Sequence, residues 1–305
     1  MSVRDRFLAL AIVLVWGVNF VVIKVGLQGM PPLLLAGLRF AFVALPAIFF
    51  IKRPQVPLKW LVAYGLTINF LQFSLLFWAL KVGMAAGLAS LLLQAQAFIT
   101  LGFGVLLLKE KVRIHNMIAV SVAGAGIYLL AAAQGHDSTS LTLFTLILII
   151  GAAAFWALGN IVNKVIMQRY PVPTMSLIVW SALVPMVSFF ISSYVIEGPE
   201  LIVESLVNIE WHNVFSIVYL SLLATILGYG GWSYLLSRYE TSMVAPLSLL
   251  VPVFGLLSAW ILLGESLSLY QIIGVIVIAM GLVINVFGKN WFGVRRVAKA
   301  PALDK

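Results

Sequence analysis

Apolar residues run through this chain in blocks of about twenty, each closed by a short polar or proline-containing break. Ten such blocks are found, at about 7–27, 33–51, 60–80, 86–108, 114–132, 141–163, 174–195, 213–236, 242–263 and 269–288. A helix needs roughly 20 mostly apolar residues to cross the hydrocarbon core of a bilayer. The pattern therefore predicts an all-α integral membrane protein with ten transmembrane helices. Barrel strands would alternate over roughly ten residues, and these blocks are too long and too uniform for that. Inside lipid every backbone N–H and C=O must be bonded within its own element, which again selects helices. The longest connection, about 196–212, is too short for a separate soluble domain.

Composition agrees: 63% of residues are hydrophobic and only 10% are charged. Soluble domains carry about 25% charge, so neither a soluble enzyme nor a disordered chain fits. The net charge of +9 suggests nucleic acid until the positions are read. With the N-terminus in the cytoplasm, that side receives Arg4, Arg6, Lys52, Arg53, Lys59, Lys109, Lys111, Arg113, Lys164, Arg169, Arg238, Lys289, Arg295, Arg296, Lys299 and Lys305. The other side receives only Lys24 and Lys81, while Asp137, Glu197, Glu200, Glu204, Glu210 and Glu265 gather there. This is the positive-inside bias of a membrane protein. It places both termini in the cytoplasm and leaves no basic groove for nucleic acid. Arg4 and Arg6 resemble the basic start of a signal peptide, but the apolar run behind them is too long, so an uncleaved first helix is expected. Cysteine is absent, which excludes disulfides and thiolate sites.

The two halves of the chain match weakly. Trp16 and Lys24 are spaced like Trp156 and Lys164, and Pro31 and Phe49-Phe50 recur at the same offset of 140 as Pro171 and Phe189-Phe190. Beyond the long connection the offset becomes 155, pairing Glu110 with Glu265 and Gly126 with Gly281. Each half holds five spans, so the second starts from the opposite side of the membrane. The expected organisation is a first five-helix repeat over 1–135, an inverted second repeat over 136–290, and a basic cytoplasmic tail over 291–305. Inverted repeats with a midplane substrate site are the architecture of secondary transporters.

Several runs carry a family likeness. Trp16-Gly-Val-Asn19-Phe20, Pro31-Pro32-Leu-Leu-Leu-Ala-Gly-Leu-Arg39-Phe40, Gly87-Leu-Ala-Ser-Leu-Leu-Leu-Gln94-Ala-Gln96, Ala245-Pro246-Leu-Ser-Leu-Leu-Val-Pro252 and Glu265 together resemble the EamA branch of the drug/metabolite transporter superfamily. The likeness extends over about 7–288. It implies a ten-helix bacterial inner-membrane exporter of amino acids and related metabolites, with O-acetylserine and cysteine as the implied substrates. Other amino acids and small amphiphilic drugs are the alternative. The spacing of residues does not itself select a substrate.

Polar side chains at membrane depth face a cavity or another helix. Asn19, Gln72, Gln94 and Gln96 lie near the middle of their spans. An amide can hold either end of a zwitterion, or it can join two helices; both readings stand. On a regular helix Gln94 and Gln96 point about 200° apart, so only one is expected on the pathway. Trp156, Asn160 and Asn163 share a helical face suited to the cytoplasmic mouth. Tyr229, Trp232 and Tyr234 either shape the cavity or form an interfacial belt, whereas Trp78 and Trp180 are expected as belt or packing residues. Arg39, six residues inside its span, is expected to gate or to support structure, with attraction of a substrate carboxylate as the other role. Pro246 and Pro252 free backbone carbonyls around Ser248 and mark a hinge. Lys24 and Lys164 are expected as interfacial anchors, and Glu110 as the partner of its neighbours Lys109, Lys111 and Arg113.

No acidic residue occupies the middle of a span. Proton relays through membranes use such carboxylates, so exchange or facilitated diffusion is expected. A membrane-embedded enzyme needs an acid pair, a metal cluster or an activated nucleophile. His115, His136 and His212 fall in separate connections, so no catalytic residue, metal or cofactor is expected. A channel would show rings of charge. The expected partners are the bilayer and an amino-acid-like small molecule; oligomeric state is not encoded in these patterns.

Overall fold

A computed structural model describes residues 1–110, 113–132 and 141–292. Among these residues there are helices and no strands. We number the elements α1 (Val3–Gly26), α2 (Pro32–Ala47), α3 (Leu58–Lys81), α4 (Ala86–Leu108), α5 (Ile114–Leu130), α6 (Leu143–Arg169), α7 (Thr174–Glu197), α8 (Pro199–Val207), α9 (Trp211–Arg238), α10 (Pro246–Leu263) and α11 (Leu269–Gly288). Eight of them are long and apolar enough to cross a membrane; α2 and α5 are apolar but shorter. The sixteen residues of α2 rise about 24 Å, short of the roughly 30 Å hydrocarbon core. The predicted span continued to residue 51, but the helix ends one residue after Pro46 and the chain turns at 48–50.

The connection at 196–212 is not a simple loop. It contains α8, started by Pro199 after Gly198 at φ 85°, with Glu200 in its first turn, where an acid suits the positive end of the helix dipole. The predicted tail lies outside the described residues from 293 onward, as do His136 and Lys111.

The principal packing partners are distant in sequence. Helix α5 runs along α11, α2 along α7, and α1 along both α10 and α9; α6 packs against α3 and α4, and α4 against α10. Small residues permit the closest approaches. A Cβ on Gly17 of α1 would lie 2.5 Å from the Phe254 Cβ of α10. On α5, a Cβ on Gly126 would lie 2.7 Å from Ile278 of α11, whereas Gly124 faces open space. Gly83 makes no such contact and sits in a turn at φ 108°.

Four helices depart from α-geometry at depth. Helix α3 is π-helical over Gly65–Leu71 and α9 over Tyr219–Leu227. Helix α4 tightens to 3-10 geometry over Leu93–Ala95, and the chain does so again over Ala245–Leu249, where α10 begins.

Candidate functional site

These departures surround a cavity of about 380 Å³ between the helices. Helix α1 contributes Trp16, Asn19 and Phe20; α3 contributes Gln72, Phe73 and Leu76; α4 contributes Ser90, Leu93, Gln94, Gln96 and Ala97. Trp156 and Asn160 come from α6, Tyr229 and Trp232 from α9, and Leu282, Asn285 and Val286 from α11. Arg39 of α2 reaches the same space. Asn19, Gln72, Gln94, Gln96, Trp156, Asn160, Tyr229, Trp232 and Arg39, all read from the sequence as candidates, thus converge on one cavity.

Gln94 and Gln96 both line it, contrary to the regular-helix expectation. The 3-10 turn advances about 120° per residue, so their faces differ by about 120° rather than 160°. Asn160 Nδ2 donates to Gln96 Oε1 at 2.8 Å and to Thr100 Oγ1 at 3.3 Å. This ties α6 to α4 at the cavity wall, so Asn160 and Gln96 join two helices while lining the cavity. Asn163 does not reach the cavity. Pro246 and Pro252 do not line it either, but Ser248, Leu249 and Val251 between them do. The aromatic wall is one cluster: Trp16 lies 5.3 Å from Tyr229 and 5.2 Å from Trp232, ring to ring. The Trp16 indole N–H is spent on the Ala224 carbonyl at 2.9 Å. Tyr234 is apart from this cluster, under the Arg238 guanidinium at 4.6 Å. Trp180 donates to the Ile51 carbonyl at 2.9 Å, a structural tie.

Arg39 is 3% exposed. Its Nη2 donates to Thr225 Oγ1 at 3.0 Å, and the guanidinium lies 4.1 Å from the Phe73 ring centre and 5.4 Å from that of Phe40. Its Nε and Nη1 are buried with no hydrogen-bond partner among the described residues, and the same holds for Asn19 Oδ1. A second cavity of about 20 Å³ adjoins Arg39, Tyr64, Asn69, Thr225 and Tyr229. Neither cavity is lined by an Asp or Glu among the described residues. Thr225 and Asn285 escaped the sequence reading. Asn285 met the criterion used for Asn19, an amide within an apolar span. Thr225 has no such signal.

Two ion pairs flank the cavity along the helix axes. On the face opposite the N-terminus, Lys24 Nζ lies 2.8 Å from Glu265 Oε1 and also donates to the Met84 carbonyl at 3.2 Å. Glu265 accepts the first backbone N–H groups of α4 as well, from Ala86 at 2.9 Å and Gly87 at 3.1 Å. Glu197 caps α2 on the same face, accepting from Leu33 at 2.7 Å and Leu34 at 3.1 Å. On the N-terminal face, Lys164 pairs with Glu110. Lys24 and Lys164 are therefore ion-paired rather than free interfacial anchors. Glu110 takes a lysine from α6, 54 positions away; of the neighbours expected as its partners, Lys111 lies outside the described residues. His115 lies in the first turn of α5 and His212 in that of α9, not in connections. Among the described residues no group of His, Asp or Glu is placed to hold a metal.

Comparison with known proteins agrees with this arrangement. The chain is 54% identical over 300 residues to the "probable amino-acid metabolite efflux pump" of Salmonella typhimurium strain LT2, covering 98% of this chain and 99% of that protein. It is 50% identical over 292 residues to the protein of the same description in Escherichia coli K12, covering 95% and 97%. A solved crystal structure shares the fold at a TM-score of 0.64 and 16% identity, covering 96% of this chain and 100% of that one. The profile of the EamA-like transporter family matches residues 6–132 and again 143–287, and the chain belongs to that family.

Proposed function

We propose that the protein exports amino-acid metabolites across the bacterial inner membrane, with O-acetylserine and cysteine as its substrates and the central cavity as its binding site. The observation that carries this reading is the cavity itself. It is large enough for a small metabolite, lies at mid-depth, and is lined by amides, indoles and one guanidinium. That mixture suits a compact zwitterion better than an inorganic ion or a lipid. The relatives described as amino-acid metabolite efflux pumps supply the substrate class and the direction. The positive-inside charge pattern supports cytoplasmic termini.

Transport proceeds by alternating access between two inverted halves of five spanning helices, α1–α5 and α6–α11, with α8 as an insertion. Exchange α1 with α6, α2 with α7, α3 with α9, α4 with α10 and α5 with α11. The pairings α2–α7, α4–α10 and α5–α11 map onto themselves; α1–α10 becomes α6–α4, and α1–α9 becomes α6–α3. The same exchange relates the π-helical stretches of α3 and α9, the 3-10 stretches at 93–95 and 245–249, and the ion pair Lys24–Glu265 to Lys164–Glu110. Each ion pair joins one half to the other, one at each face. Rocking the halves about the cavity must release them in turn.

Efflux of labelled O-acetylserine and cysteine from cells overproducing the chain tests the reading. Selective efflux that is lost in Gln94→Ala and Asn19→Ala at equal protein abundance is expected. Unchanged efflux in both variants would remove the cavity from the pathway, and no efflux of either compound would remove the substrates.

A further inference from the structure

We infer that Arg39 and Asn19 are the two recognition groups of the cavity, Arg39 for the substrate carboxylate and Asn19 Oδ1 for its ammonium. This rests on the cavity being the transport site and names the substrate class: neutral α-amino acids and their uncharged side-chain derivatives.

Arg39 carries a permanent charge at membrane depth without a carboxylate beside it. Buried charges are ordinarily paired, because an isolated one is costly. Here the compensation is one hydroxyl, Thr225 Oγ1, and the faces of Phe73 and Phe40. An aromatic face stabilises a cation but accepts no N–H in the guanidinium plane. Nε and Nη1 are left over, one on each side of the Nη2 that donates to Thr225. A carboxylate can accept from either of them, and can take a parallel pair from one of them together with the second hydrogen of Nη2. Thr225 and the phenyl rings hold the guanidinium plane, so the leftover donors are oriented in advance. The adjoining 20 Å³ space admits a water, not a carboxylate; the 380 Å³ cavity is the side from which a substrate approaches.

The leftover groups are of opposite kind. Arg39 offers donors, which an anion needs, and Asn19 Oδ1 offers an acceptor, which an ammonium needs. Both line the same cavity. With one cation and no acid in the lining among the described residues, the site complements a molecule whose carboxylate is free and whose remaining charge is at most one ammonium. A basic side chain would bring a second cation toward Arg39 and is rejected. Helix glue does not account for the pattern, because glue would spend these atoms on a neighbouring helix, as Asn160 spends its amide on Gln96.

The test uses the purified full chain in liposomes and paired competitors of labelled O-acetylserine and cysteine uptake: each neutral amino acid against its primary amide, and against its N-acetyl derivative. In the wild type the free acid should compete at least tenfold better than the amide, and better than the N-acetyl compound. Arg39→Gln should erase the acid-over-amide preference, and Arg39→Lys should retain part of it, having charge without the fork. Asn19→Ala should erase the preference over the N-acetyl compound while keeping the acid-over-amide preference. The wild-type comparison stands even if a variant does not fold. Equal competition by acid and amide, or a preference that survives Arg39→Gln, overturns the assignment and leaves the exporter reading intact. Transport of amides or amines with no acid transported overturns both.

Discussion

Glu265→Gln isolates the ion pair on the face opposite the N-terminus. The substitution keeps the size of the side chain and removes the charge. Glu265 accepts three hydrogen bonds, from Lys24 Nζ, Ala86 N and Gly87 N, and its side chain is 15% exposed against 30% for Lys24. A hydrogen bond to a charged group is worth about 1.5–3 kcal/mol, but the partly exposed lysine holds its share near the 1 kcal/mol of a surface pair. Loss of a negative charge at the start of α4 adds about 0.3–1 kcal/mol. Since the amide can still accept one backbone N–H, the net loss is about 2–3 kcal/mol for the closed face. That shifts the balance between closed and open by roughly 30- to 150-fold. The chain has no cysteine, so Ala97→Cys, on the cavity wall, is a single reporter without background. An impermeant maleimide added from the Lys24 face should label this cysteine faster in Glu265→Gln by a factor in that range. Lys24→Gln should give less, because Glu265 still caps α4. Glu110→Gln should change labelling from this face little, and its own pair, 43% exposed on both sides, is worth less than about 1 kcal/mol. Labelling that changes less than threefold in Glu265→Gln at equal abundance would show that the pair does not hold the face closed.

Further outcomes follow from the packing and the lining. Gly17→Ala forces a methyl against Phe254 Cβ and the Val251 carbonyl at 2.9 Å; it should destabilise the protein by about 1–3 kcal/mol, seen as a lower melting temperature in detergent. Asn160→Ala cuts the tie between α6 and α4 and should cost about 0.6–2 kcal/mol as well as transport, whereas Asn163→Ala, away from the cavity, should leave transport rates within twofold. Since no carboxylate lines the cavity among the described residues, an imposed pH gradient should not drive uphill accumulation in liposomes; accumulation that collapses with a protonophore would contradict this.

The spans were legible because the bilayer makes a demand that composition alone satisfies: some twenty apolar residues in a row. Where other forces decide, the reading slipped. Residues 48–50 are as apolar as those before them, yet the chain turns there after Pro46. Helix α8 was hidden because four of its nine positions are polar or proline, and a short amphipathic helix resembles a loop when only long apolar runs are sought. The amides of the cavity stood out against their surroundings, but their orientation did not. Gln94 and Gln96 share the cavity through a local tightening that a fixed 3.6-residue period cannot anticipate. Glu110 was assigned to its nearest cations in the chain. Tertiary packing gave it Lys164 instead, and only the paired recurrence of lysine and glutamate in the two halves hinted at that.

The π-helical stretches in α3 and α9 have a consequence for how this chain tolerates change in length. Such a stretch contains one more residue per turn than the α-helix around it. Deleting one residue from Gly65–Leu71 would therefore restore i→i−4 bonding, and because the wider turn had absorbed the extra residue, the positions beyond would keep nearly their present direction. Gln72, Phe73 and Leu76 would still face the cavity, whereas a deletion in the regular α-helical part of α3 before Gly65 would turn them relative to it by about 100°. The π-helical stretches are thus the places where α3 and α9 can lose one residue at least cost to the side chains that line the cavity.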